Sequence, residues 1–179
     1  MRRTIKAPRN AAQEESFPLY TGIPFDFGVF ANPGSIAAVV ELEINIVSFI
    51  PKIRGIWMCI DGGRIINADM ARASLQTATA QALGWTFGEY IDYNNGFIDL
   101  SQYENYSIPE PADIPAINVD FIQYDAVDPK GVGELPFTSI PSAFLQAVSQ
   151  AIDFHFTSIP LKREEIFEAG KRKQTEQSL

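Results

Sequence analysis

Pro129-Lys130-Gly131-Val132-Gly133-Glu134-Leu135-Pro136 joins two readable elements of the chain. Before it, Ile117–Tyr124 alternates apolar and polar residues, the pattern of a half-buried strand. After it, Ala143, Phe144, Ala147, Val148, Ala151 and Ile152 form one apolar stripe at i, i+3, i+4 spacing. That stripe predicts a helix over Ser142–Asp153, with Pro141 in its first turn. The quoted stretch is therefore a strand-to-helix connection, and it sets one carboxylate, Glu134, between two glycines and a proline. A carboxylate on a glycine-lined turn reaches atoms that bulkier neighbours would block, although most such loops are plain turns.

Working outward, Ile36–Val47 and Ile53–Asp61 are rich in β-branched residues and predict two strands joined near Pro51-Lys52, the second ended by Gly62-Gly63. Cys59, within Ile56-Trp57-Met58-Cys59-Ile60, reads as a buried strand thiol. A helix follows over Asp69–Leu83, with Asn67 or Asp69 as its cap and Gly84 as its stop. It is almost bare of large side chains, so backbone or a ligand approaches it closely. Glu89–Tyr93 and Phe97–Leu100 flank Asn94-Asn95-Gly96 and predict a hairpin. A Pro-rich crossing segment then runs from Tyr106 to Pro115, and Lys162–Ala169 predicts a short last helix. Residues 1–16 and 170–179 read as polar tails around one domain at 17–169. Strands and helices mix without regular βαβ alternation, so the class is α+β, a mixed sheet with a few packed helices.

Composition removes several functions. A chain of 179 residues holds one domain with a real core. The net charge is −8, and most Lys and Arg lie near the two ends, which leaves a strongly acidic body that repels a nucleic-acid backbone. No apolar run approaches the ~20 residues of a membrane span. Met1–Asn10 is basic without an apolar stretch behind it, which is not the pattern of a secretory signal, and the expected compartment is the cytoplasm. The single cysteine and the single histidine, His155, exclude a disulfide framework and any Cys- or His-built metal site. No Gly-x-Ser-x-Gly, Walker loop or Gly-x-Gly-x-x-Gly is present. The residues alone offer one poised carboxylate and no metal ligands.

Several motifs in order resemble one family. Lys130–Pro136, Pro141-Ser142-Ala143 and the helix behind them resemble the C-terminal end of the molybdopterin-binding subunit of xanthine dehydrogenase/aldehyde oxidase-type molybdenum hydroxylases. Asp61-Gly62-Gly63-Arg64-Ile65-Ile66-Asn67-Ala68-Asp69 is similar to that family's strand-end and helix-cap motif. Gln81-Ala82-Leu83-Gly84-Trp85 resembles its helix end, and Tyr106-Ser107-Ile108-Pro109 with Asp113-Ile114-Pro115 resembles its crossing segment. Ile159-Pro160-Leu161 with Glu164-Glu165-Ile166 resembles its terminus. The resemblance spans roughly Phe25 to Ala169 but only the last part of a family subunit.

The resemblance implies a fold like part of the molybdenum-cofactor-binding domain. It also implies a metal held by the sulfurs of a pterin, which is why the protein need not supply ligands. Glu134 becomes the general base for hydroxylation of a purine, N-heteroaromatic or aldehyde carbon by a hydroxyl on the metal. Gly131, Val132, Gly133 and Ser74 become cofactor contacts; Ser74 stands where the family usually has a glutamine. A buried, apolar setting would raise the Glu134 pKa toward working pH. The implied partners are a larger molybdopterin-binding chain and electron-transfer subunits carrying iron–sulfur clusters and FAD. Two further readings remain: a truncated, non-catalytic relative, and a stand-alone binding or scaffold domain.

Overall fold

The structure is a computed structural model, and it describes residues 17–18, 24–25, 34–91, 93–98, 106, 108–122 and 128–176. The expected polar tail at 1–16 and the end of the strand expected over Ile117–Tyr124 lie outside these residues. The described elements are β1 (Phe17–Pro18), β2 (Pro24–Phe25), β3 (Ser35–Ile44), β4 (Pro51–Asp61), α1 (Ala68–Phe87), β5 (Tyr93–Asn94), β6 (Phe97–Ile98), β7 (Ala116–Phe121), α2 (Leu135–Ile152) and α3 (Arg163–Glu176). β1 pairs with β2, and β5 with β6, each antiparallel. Asn95 and Gly96 both take positive φ in the expected hairpin turn, where Gly96 needs that freedom.

The main sheet has the order β3-β4-β7. β3 runs antiparallel to β4, with the register slipping between Glu41 and Leu42, while β4 and β7 are parallel. The mixed sheet and packed helices are those of the expected class. One parallel crossover, β4 to β7 by way of α1, sits inside it.

Alternation along the strands sorts their two faces. Val40, Ile56, Met58, Ile60 and Val119 are buried and join Leu75, Ala82 and Leu83 of α1 and Ile140, Phe144, Val148 and Ile152 of α2 in one core. α1 and α2 share this core, and Trp85 of α1 stacks on Phe137 of α2 at 4.6 Å and 9°. At the outer edge of the sheet, Gln76 Nε2 donates to the Ile117 carbonyl (3.2 Å) and Arg72 Nε to the Val119 carbonyl (3.5 Å). Residues i and i+4 of a helix have nearly the spacing of i and i+2 in a strand, so two side chains cap that edge.

Three helix boundaries and one burial differ from expectation. α1 runs through Gly84 and ends at Gly88, because Gly84 is small for packing: a Cβ there would collide with Glu89 and press on Pro109. α2 begins at Leu135, with Pro136 in its first turn, and contains Pro141. Cys59 is exposed, not buried. α3 continues past Ala169 to Glu176 and so takes in most of the expected C-terminal tail, while 177–179 lie outside the described residues.

α3 locks the turn between β3 and β4. Phe49 sits at positive φ and is buried, and its ring fills the notch left by Gly170 while meeting Phe167 edge-on at 5.9 Å. A Cβ at position 170 would overlap that ring. Gly170→Ala is therefore expected to destabilise the fold by ~1–3 kcal/mol through overpacking, despite alanine's better helix propensity. Urea unfolding checks this, and an unchanged or raised midpoint contradicts it.

Candidate functional site

The C-terminal end of β4 and the segment leading into α2 come together at one end of the sheet. Lys130 N–H donates to the Gly62 carbonyl at 2.9 Å, and Lys130 Nζ donates to Asp61 Oδ2 at 2.7 Å. Asp61 Oδ1 also accepts the Gly63 N–H at 3.1 Å. The side chains of this ion pair keep only 13% and 20% of their accessible surface. The Lys130 hydrogen bond, then that of Gly63, holds the Asp61 carboxyl below its ordinary range. The sequence reading does not single out this pair, although opposite charges in two glycine-rich motifs are its visible signal.

Glycines make the junction possible. A Cβ on Gly34 would lie 2.7 Å from the Gly131 carbonyl oxygen and 3.2 Å from that of Asp61. One on Gly62 would lie 2.8 Å from Val132 Cγ1, and Gly63 combines positive φ with close contact to the Asp128 carbonyl. These three positions exclude larger residues for reasons internal to the fold.

Gly131 and Gly133 differ. Neither has positive φ; among the described residues a Cβ on Gly131 would meet nothing within 4 Å, and one on Gly133 only Ser74 Oγ at 3.5 Å. Among the described residues, nothing in the packing requires glycine at either place. Their effect is to leave open space along the backbone beside Glu134.

Glu134 is the residue preceding α2, in a helical backbone conformation, and its carboxylate caps none of the helix N–H groups. It is exposed, so the apolar enclosure expected around it is not supplied by the described residues. Its carbonyl accepts the Phe137 N–H at 3.1 Å, and Val132 accepts that of Leu135 at 3.2 Å, which fixes the turn. The side chain of Val132 packs inward against the core, so only its backbone faces the open side. Ser74, exposed on α1, presents its hydroxyl across from Gly133. The structure thus brings Glu134, Gly131, Gly133 and Ser74 to one open surface. Phe137, beside the loop, is committed to the Trp85 stack. Among the described residues, no group of three or more His, Cys, Asp or Glu is placed to hold a metal ion.

Residues 11–115 match the sequence model of the molybdopterin cofactor-binding domain. The chain belongs to that family. Its relatives include a probable xanthine dehydrogenase subunit from Bacillus subtilis, 29% identical over 175 residues that cover 91% of this chain and 24% of the relative. The beta subunit of isoquinoline 1-oxidoreductase from Brevundimonas diminuta is 23% identical over 71% of this chain and 16% of its own length. Among solved structures, quinoline 2-oxidoreductase from Pseudomonas putida 86 superposes with TM-score 0.67 at 25% identity, over 74% of this chain and 18% of the other. CO dehydrogenase from Oligotropha carboxidovorans shares the fold, with TM-score 0.71 at 20% identity over 80% of this chain and 19% of the other. The chain therefore spans a quarter or less of the relatives it matches.

The acid dependence of the domain tests the Asp61–Lys130 tie. A carboxyl with a lowered folded pKa adds stability above its unfolded value, and that stability is lost as pH falls through the lowered value. Lys130→Met is expected to reduce stability at neutral pH, to raise the Asp61 pKa and to flatten the loss of stability on the acid side of the ordinary carboxyl range. Urea midpoints across pH and carboxyl NMR titration read this; identical slopes in both proteins contradict it.

Proposed function

We propose that this chain is a portion of a molybdenum hydroxylase, working in the cytoplasm with a second polypeptide that supplies the rest of the cofactor cavity. The observation that carries the reading is the pair of glycines beside Glu134, which neither positive φ nor, among the described residues, close packing requires. In a chain whose residues 11–115 match the molybdopterin-binding family, open backbone next to a carboxylate that caps no helix N–H supports reading this loop as where the group approaches. The donor set is compatible, because the pterin sulfurs would carry the metal and the described residues offer no metal cluster.

Backbone at Gly131 and Gly133 and the Ser74 hydroxyl would hold the cofactor. When bound, the cofactor supplies the redox chemistry and the oxygen that is transferred. Glu134 would take the proton released as substrate is hydroxylated, which requires its carboxylate within ~2.6–3.2 Å of the proton-bearing atom. The substrate class is an electrophilic carbon of a purine, N-heteroaromatic or aldehyde. Iron–sulfur and FAD groups on further subunits would carry the electrons away.

Co-expression with a polypeptide carrying the remainder of the relatives' length tests this, with molybdenum content and hydroxylation as readouts. Glu134→Gln is expected to keep the metal and to lower turnover by ~10²–10⁴, the usual worth of a general base. Retained turnover in Glu134→Gln, or a complex that never loads molybdenum, overturns the proposal. The non-catalytic alternative predicts the second of those outcomes.

A further inference from the structure

One face of the β3-β4-β7 sheet is buried by the helices, and among the described residues nothing covers the other. Along the bare face the register aligns Ala37 with Cys59 and Asp120, and Val39 with Trp57 and Asn118. Val39 is 63% exposed and Trp57 44% exposed, and Cys59 is exposed beside them. The Trp57 ring lies across Gly55, where a Cβ would approach it to 2.5 Å, so the ring lies along the sheet and not out from it. Glu41 and Asp120 border this apolar centre, and among the described residues neither is in an ion pair.

Two physical features indicate that the face is built to be covered. First, Val39 and Trp57 are large apolar side chains left exposed at paired positions of neighbouring strands, and exposed apolar patches mark interaction surfaces. Second, the middle of β4, Ile56-Trp57-Met58-Cys59-Ile60, is apolar at inward and outward positions alike, while Lys52 and Arg54 keep the outward start of the strand charged. A chain spanning a quarter or less of its relatives has most of their length left to supply the missing layer. A second copy is a poor candidate, because it would bring the same Glu41 and Asp120 rim against itself in an already acidic body.

We propose that the Ala37–Val39–Trp57–Cys59 face is the seat of the partner polypeptide, which meets it with an apolar layer bordered by basic residues. This rests on the split-subunit reading above and names the surface that reading leaves open. The seat is continuous with the functional loop, because β4 runs along it to Asp61, whose carboxylate binds Lys130 of the loop.

Cys59 is the chain's sole cysteine, so maleimide labelling reports cover of this face without any mutation. The wild-type chain is labelled alone and in complex with the co-expressed polypeptide that carries the remainder of the relatives' length. Labelling is expected to slow by about tenfold or more in the complex, since access limits thiol reactivity. Val39→Glu and Trp57→Glu, which change exposed positions and are checked for folding by circular dichroism, are each expected to weaken the complex by about tenfold or more. A complex in which Cys59 reacts as fast as in the free chain overturns this surface and leaves the split-subunit reading standing. Self-association of the isolated chain with Cys59 protected assigns the face to a second copy and also overturns it. Absence of any complex overturns the split-subunit reading together with this inference.

Discussion

The parallel pairing of β4 with β7 is the constraint on which the rest of the domain depends. Parallel strands cannot be joined by a tight turn, so α1 and the β5–β6 hairpin form the crossover between them. Both strands then exit at the same end of the sheet. The chain leaving β7 returns over Gly62 and Gly63, where Lys130 meets Asp61, and enters α2 at Glu134. The loop that carries Glu134 thus owes its place to this topology.

The glycines divide by what surrounds them. Gly34, Gly62 and Gly63 let two loops and a strand end touch, and Gly170 admits a phenylalanine ring. Gly131 and Gly133 have no such internal reason. In a rigid junction tied by an ion pair and two short turns, unexplained small residues next to an uncommitted carboxylate are the feature most economically assigned to a ligand. Ser74 faces the same opening from α1, so the surface is shared by two elements that the core holds in fixed relation.

Much of this is legible in the sequence, because local signals and tertiary placement agree. β-Branched runs locate β3 and β4, Asn67 does cap α1 through bonds to the Asp69 and Met70 N–H groups, and Asn95-Gly96 does form the hairpin turn. Where expectation and structure part, a residue has two possible physical roles. Gly84 resembles a helix stop but is small to admit Glu89; Pro141 resembles a helix start but lies behind Pro136, which occupies that place. Cys59 reads as buried because its strand is apolar on both sides, and only the pairing shows that one side faces solvent in this chain. The convergence of Ser74 on Gly133 is legible through family resemblance, not through spacing. The Asp61–Lys130 pair, distant in sequence, is legible through neither.

The central claim is that Glu134 stands beside the reacting oxygen of a molybdenum site completed by a second polypeptide. A crystal structure of the molybdenum-loaded complex tests it most directly. The expected result is a Glu134 carboxylate within ~2.6–3.2 Å of an oxygen on the metal, with Gly131 and Gly133 backbone against the cofactor. A loaded cofactor lying away from this loop, with Glu134 still turned to solvent, would contradict it.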